Sequence, residues 1–149
     1  MMNDGKEWQD ALPEFLLEAE MLLAKSEECL SHLHLIRNDN DAIDCMKNSL
    51  RKLAEKADAM SLGAIGDFSR RLQDLINNAQ SPVQLHDQAL SALHDCLTLM
   101  AWQLELIDIK TGKLSLDETE QVALIETAAQ LIPQKSVDYT YRQAAPHAS

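Results

Sequence analysis

The stretch Ile43-Asp44-Cys45-Met46-Lys47-Asn48-Ser49-Leu50-Arg51-Lys52-Leu53-Ala54-Glu55-Lys56-Ala57-Asp58-Ala59-Met60 decides the fold. Its apolar residues Ile43, Met46, Leu50, Leu53, Ala57 and Met60 fall at gaps of three and four. That spacing puts them on one side of an α-helix and leaves Asp44, Asn48, Arg51 and Glu55 on the other. A helix with one such seam must bury it against neighbouring helices, which is the logic of a helical bundle.

The pattern repeats on both sides. Before it, Phe15, Ala19, Leu22, Leu23, Leu30, Leu33 and Ile36 predict a helix over 12–36, with a short helix before Pro13 that includes Trp8. Arg37-Asn38-Asp39-Asn40-Asp41 reads as a turn with an N-cap. After it, Ser61 is a candidate cap for a helix over 62–79 built on Leu62, Ile65, Phe68, Leu72 and Leu75. Asn77, Asn78 and Gln80 end that helix, and Ser81-Pro82 starts another. Ala89, Leu93, Leu97, Met100, Leu104 and Ile107 carry it over 83–109. Thr111-Gly112 ends it, and Ser115 with Glu118 forms a capping box for a last helix over 116–132, stopped by Pro133. The expected fold is all-α: an antiparallel four-helix bundle with an additional C-terminal helix. The bundle and short N-terminal helix take 1–111, the added helix 112–133, and a flexible tail 134–149.

Composition agrees. Of 149 residues 46% are hydrophobic and only 4% aromatic, with four Gly and four Pro, which favours helices over strands. The net charge of −11 argues against a nucleic-acid partner or an anionic lipid surface. No apolar run is long enough for a membrane span, and the polar stretch Met1 to Lys6 argues against a signal peptide, so the expected location is the cytoplasm. Cys29, Cys45 and Cys96 are widely separated and read as small buried hydrophobes in a reducing compartment.

Familiar chemistry is missing from the motifs. Gly63 and Gly66 fit no phosphate-binding loop, and no serine sits in a nucleophile elbow. His32 and His34 point to different sides of a helix, and His86 and His94 are two turns apart, so no metal or cofactor is expected. Met21, Met46, Met60 and Met100 sit at or near core spacing as gap fillers. Arg51, Lys52, Arg70 and Arg71 make a modest basic cluster, best read as solvated charge.

The run Arg51-Lys52-Leu53-Ala54-Glu55-Lys56-Ala57, followed by Met60-Ser61-Leu62, Ile65, Phe68, Leu72 and Leu75, resembles the histidine phosphotransfer family. That family's second bundle helix reads H-x-L-K-G-x-A. Glu14-Phe15-Leu16-Leu17-Glu18-Ala19-Glu20 is similar to its first, and the resemblance covers roughly 12–109. Arg51 stands at the family's phospho-histidine position, Ala54 at its lysine and Glu55 at its glycine. A register two residues later matches Lys56 and Gly63 but puts Leu53 at the histidine position and throws Ile65, Phe68 and Leu72 off the pattern.

Neither register supplies a histidine. A guanidinium stays protonated and cannot relay phosphate. The resemblance therefore implies a non-catalytic pseudo-phosphotransfer module of bacterial-type two-component signalling. Such a module docks on a response-regulator receiver domain, a histidine kinase or a scaffold protein without passing phosphate. The implied partner face is Asn48, Arg51, Lys52, Glu55 and Asp58. Alternatives are an active phosphotransfer protein using a displaced histidine, His94 being the candidate, or a helical adaptor outside phosphorelays.

Overall fold

A computed structural model describes residues 4–37, 39–79, 85–107 and 118–134, with side chains from residue 11 onward. Within them the chain is all-α, with helices α1 (Asp4–Leu35), α2 (Asn40–Ala59), α3 (Gly63–Asn77), α4 (Asp87–Glu105) and α5 (Thr119–Leu131). There is no strand among the described residues, only an isolated bridge between Ala79 and Gln134. No helix among them is long and apolar enough to cross a membrane. The Ser81-Pro82 start, the Thr111-Gly112 stop, Ser115 of the capping box and the 135–149 part of the tail lie outside the described residues.

The α2 seam is buried throughout, from Ile43 to Met60, as is the α4 seam from Ala89 to Ile107. α1 packs on α2 and α4, α2 also packs on α3, and α5 lies on α4 and reaches α3. Consecutive bundle helices run antiparallel. Leu85 N–H bonds back to the Arg37 carbonyl at 3.5 Å, and Arg37 meets Asp87 at 2.8 Å, which sets the start of α4 beside the end of α1. α3 and α4 touch each other only sparsely, and α5 occupies the space beside them. It does so with Ala128 and Ile132, both fully buried, and through Gln121, whose amide donates to Gln103 Oε1 at 2.8 Å. Gln134 then donates to the Leu75 carbonyl of α3 at 3.1 Å.

Several sequence expectations change. The helix expected from residue 12 starts at Asp4 and runs unbroken through Pro13. Pro13 lies on the exposed side, between buried Leu12 and Phe15 nearby, so packing holds the helix past the one backbone donor that proline lacks. Ser61 does not cap α3. It follows the α2 C-cap in the left-handed region, with φ 61°, while Ser61 N–H bonds to the Asp58 carbonyl and Leu62 N–H to the Ala57 carbonyl. This is a Schellman stop for α2, with Leu62 and Ala57 both buried as its apolar contact. The N-cap of α3 is Leu62, with no side-chain cap bond. Met21 is exposed rather than a gap filler, and Ile36 lies past the end of α1, also exposed.

Serine in a left-handed position carries a steric cost that glycine avoids. Ser61→Gly is expected to stabilise the fold by roughly 0.5–1 kcal/mol, read as a higher urea midpoint with an unchanged slope. A lower midpoint would show that the serine side chain contributes more than its backbone costs.

Candidate functional site

The outward side of α2 is set by its N-cap and its seam. Asp39 accepts from the backbone N–H groups of Asp41 and Ala42, at 3.1 and 3.2 Å, and so starts α2. With the seam turned inward, Asn48, Arg51, Lys52, Glu55 and Asp58 are all exposed. Arg51 is therefore on the surface, whereas Leu53 is 1% exposed and inside the core.

Asn48, Arg51, Lys52 and Glu55 make no side-chain hydrogen bond or ion pair with any other described residue, so the ion pair open to Arg51 and Glu55 one turn apart is not formed. Asp58 behaves differently. It pairs with Arg70 of α3, which also reaches Asp67 at 2.7 Å. Hydrogen bonding to Asp58 first, and to Asp67 second, pushes the Arg70 guanidinium further up from its already high value. Asp58 is at the edge of α2 that meets α3, and Gly66 makes the approach possible. A Cβ on Gly66 would stand 2.5 Å from Asp58 Oδ1. Just beside it, Ser69 Oγ donates to the Leu50 carbonyl at 2.6 Å. Asp58 is thus part of the α2–α3 joint, and the unengaged face consists of Asn48, Arg51, Lys52 and Glu55. Arg70, counted in the basic cluster of the sequence, is neutralised by its two carboxylates.

On the α1 side of this face, Lys56 meets Glu18 at 3.1 Å. A groove of about 430 Å³ runs between the two helices, lined by Lys25, Asp41, Asp44, Cys45, Asn48 and Lys52. Cys29 of α1 is buried, and burial first, with the neighbouring Cys45 second, pushes its thiol up to about 12. The sequence reading kept these cysteines apart because they lie on different helices. Only the pairing of α1 with α2 brings them together.

A second polar site lies on the opposite side of α1. His94 Nδ1 of α4 is 2.8 Å from Glu27 Oε1, in a cavity of about 310 Å³ that also involves Ser31, His34, Ser91 and Asp95. His34 is 3.9 Å from Asp87, which Arg37 holds. His86 occupies the α4 N-cap position without a side-chain cap bond. No group of three or more metal-ligating side chains occurs among the described residues.

No family model, curated protein or solved structure matches the chain.

Proposed function

We propose that the chain is a non-catalytic docking module of the pseudo-phosphotransfer kind. It would bind a receiver domain, a histidine kinase or a scaffold protein of a two-component pathway through the outward side of α2. One observation carries the reading: Arg51 stands exposed between Asn48 and Glu55 and forms no ion pair with any described residue. A guanidinium left without an internal partner is free to take one from outside, and a carboxylate is its best match. The acidic pocket of a receiver offers such carboxylates. Arg51 on the surface and Leu53 in the core also favour the register that aligns Arg51 with the family's histidine, since a phospho-acceptor has to meet its partner from the surface.

Arg51→Ala is expected to weaken binding to such a receiver about 30-fold, equivalent to ~2 kcal/mol. The melting temperature should hardly move, because exposed positions shift stability by about half a kcal/mol or less. Titration calorimetry and thermal melts measure the two effects separately. Glu120→Ala and Glu126→Ala on α5 are the controls. Lost binding in those variants, with Arg51→Ala unaffected, would move the interface to α5 and reject this reading.

The contact between His94 and Glu27 favours a second reading, phosphotransfer from a displaced histidine. A carboxylate that accepts the Nδ1 proton leaves Nε2 as the free nucleophilic nitrogen. Acid-labile label from a phosphorylated receiver, lost in His94→Gln, would establish that reading in place of the first.

A further inference from the structure

The side of α1 that faces away from the bundle carries a second row of residues at helical spacing. Leu17, Met21, Ala24, Glu28, Ser31 and Leu35 follow at gaps of four and three, and all six are exposed. The spacing lines them up along the helix, opposite the inward row of Leu12, Phe15, Ala19 and Leu23. Leu17 is 60% exposed, Met21 64% and Leu35 83%, so three large apolar side chains left in solvent share this one line. α1 packs on α2 and α4, and no described helix covers the line.

Gaps alternating four and three are what one helix presents to another along a shared seam. The charges beside the row are open as well. Glu20, Lys25 and Glu28 form no ion pair with any other described residue, whereas Glu18 and Glu27 are taken by Lys56 and His94. A second copy turned antiparallel about a two-fold axis level with Ser26 makes the row match itself. Leu17 then comes level with Leu35 of the second copy, Met21 with its Ser31, and Ala24 with its Glu28. Lys25 lies beside Glu28 of the second copy, twice by symmetry, and Glu20 is level with its His32. A parallel pair would instead set Glu28 against Glu28 and Lys25 against Lys25, so charge selects the antiparallel sense.

We propose that the outer side of α1 is a docking surface for a second copy of this chain, joined as an antiparallel two-fold dimer. Charge complementarity names the occupant. The row needs a helix that brings a carboxylate to Lys25, a cation to Glu28, and apolar side chains to Leu17 and Leu35. The same row, reversed, brings each of these at the required spacing. Ala24 puts a small side chain near the middle, where the two helices have to come closest.

The dimer is a weak one. From Leu17 to Leu35 the seam is about 27 Å long, at ~1.5 Å per residue, which places it among the smaller specific interfaces. The net charge of −11 on each chain also opposes pairing. At physiological ionic strength, repulsion beyond about 8 Å is largely screened, while the contacts in the seam are not. The dimer therefore forms where the chain is concentrated and comes apart on dilution or at low salt. It rests on α1 alone and does not depend on the docking reading of α2.

Sedimentation equilibrium of the full chain over about 1 µM to 1 mM, in physiological salt, tests the proposal. The mass is expected to rise from 16.7 kDa toward twice that value. Met21→Glu should weaken association at least about tenfold, because the two-fold axis counts the change twice. Lys25→Glu and Glu28→Lys should each weaken it when alone, and a mixture of the two variants should pair, since each supplies the charge that the other lacks. Leu17→Cys mixed with Leu35→Cys should cross-link one variant to the other on oxidation, mapped by peptide mass, and neither to itself. Trp102→Ser, an exposed change on α4, should leave the dimer intact. Circular dichroism checks that each variant folds, and the wild-type masses decide the first point without any variant. A mass that stays at 16.7 kDa leaves the row to a partner of other sequence and overturns the proposal. A dimer that survives Met21→Glu, is lost in Trp102→Ser, or cross-links like to like overturns it too.

Discussion

Leu53→His is expected to lower stability by about 3 kcal/mol and to leave the protein unable to take phosphate. Leu53 is 1% exposed in the middle of the α2 seam. An imidazole there gives up apolar burial and brings two ring nitrogens into a core that offers leucine, isoleucine and methionine. The cost combines lost transfer energy, imperfect packing and an unsatisfied polar group. The variant matters because the alternative family register places the histidine at this position. Urea unfolding gives the stability, and labelling with a phosphorylated receiver gives the chemistry. Wild-type stability together with acid-labile label would validate that register and remove the basis for giving Arg51 the central role.

Phe68→Ala should cost about 3–5 kcal/mol, the usual range for a buried phenylalanine. Phe68 is 1% exposed and is among the largest wholly buried side chains. It lies on the core side of α3, a helix of 15 residues that leans on α2 through Ser69 and Gly66 and has little direct support from α4. Held also by the Asp58–Arg70 pair and by Gln134 on the Leu75 carbonyl, α3 cannot shift to close a cavity at Phe68 without breaking those contacts. Phe68→Leu keeps most of the volume and should cost under about 1.5 kcal/mol. Urea midpoints of the two variants test this. A loss below about 1 kcal/mol for alanine would mean that α3 repacks freely.

What the sequence made legible followed from periodicity. The seam residues read in α2 and α4 are all buried, but α4 also buries Leu90, Ala92, Cys96, Leu99 and Gln103, because a helix packed on both α1 and α5 has more than one inward side. In α3, Leu75 was expected in the core. It is only half-buried, while Ile76 is at 2% exposure, because the inward row runs Ile65, Phe68, Ser69, Leu72 and Ile76, and the buried Ser69 hides that row from a purely apolar count. Met21 illustrates the opposite error, since an apolar residue near the seam need not be in it. On the site, the exposure of Asn48, Arg51, Lys52 and Glu55 was legible from the helix wheel. The Asp58–Arg70 pair, the Glu27–His94 contact and the Cys29–Cys45 neighbours were not. Each joins two helices, and how two helices slide and rotate against each other is not written in the period of either.

The placement of α5 has a consequence for how the protein is made. On the ribosome α3 and α4 emerge before the helix that seals the space beside them. Until residues as far as Gln134 have cleared the exit tunnel, the side of α4 that carries Ala92 and Gln103 has no cover from α5. Nascent chains halted before Thr119 would thus present a greasy cleft to chaperones and proteases, and the finished chain would not. Docking of α5 therefore decides when that apolar surface stops being open to other chains.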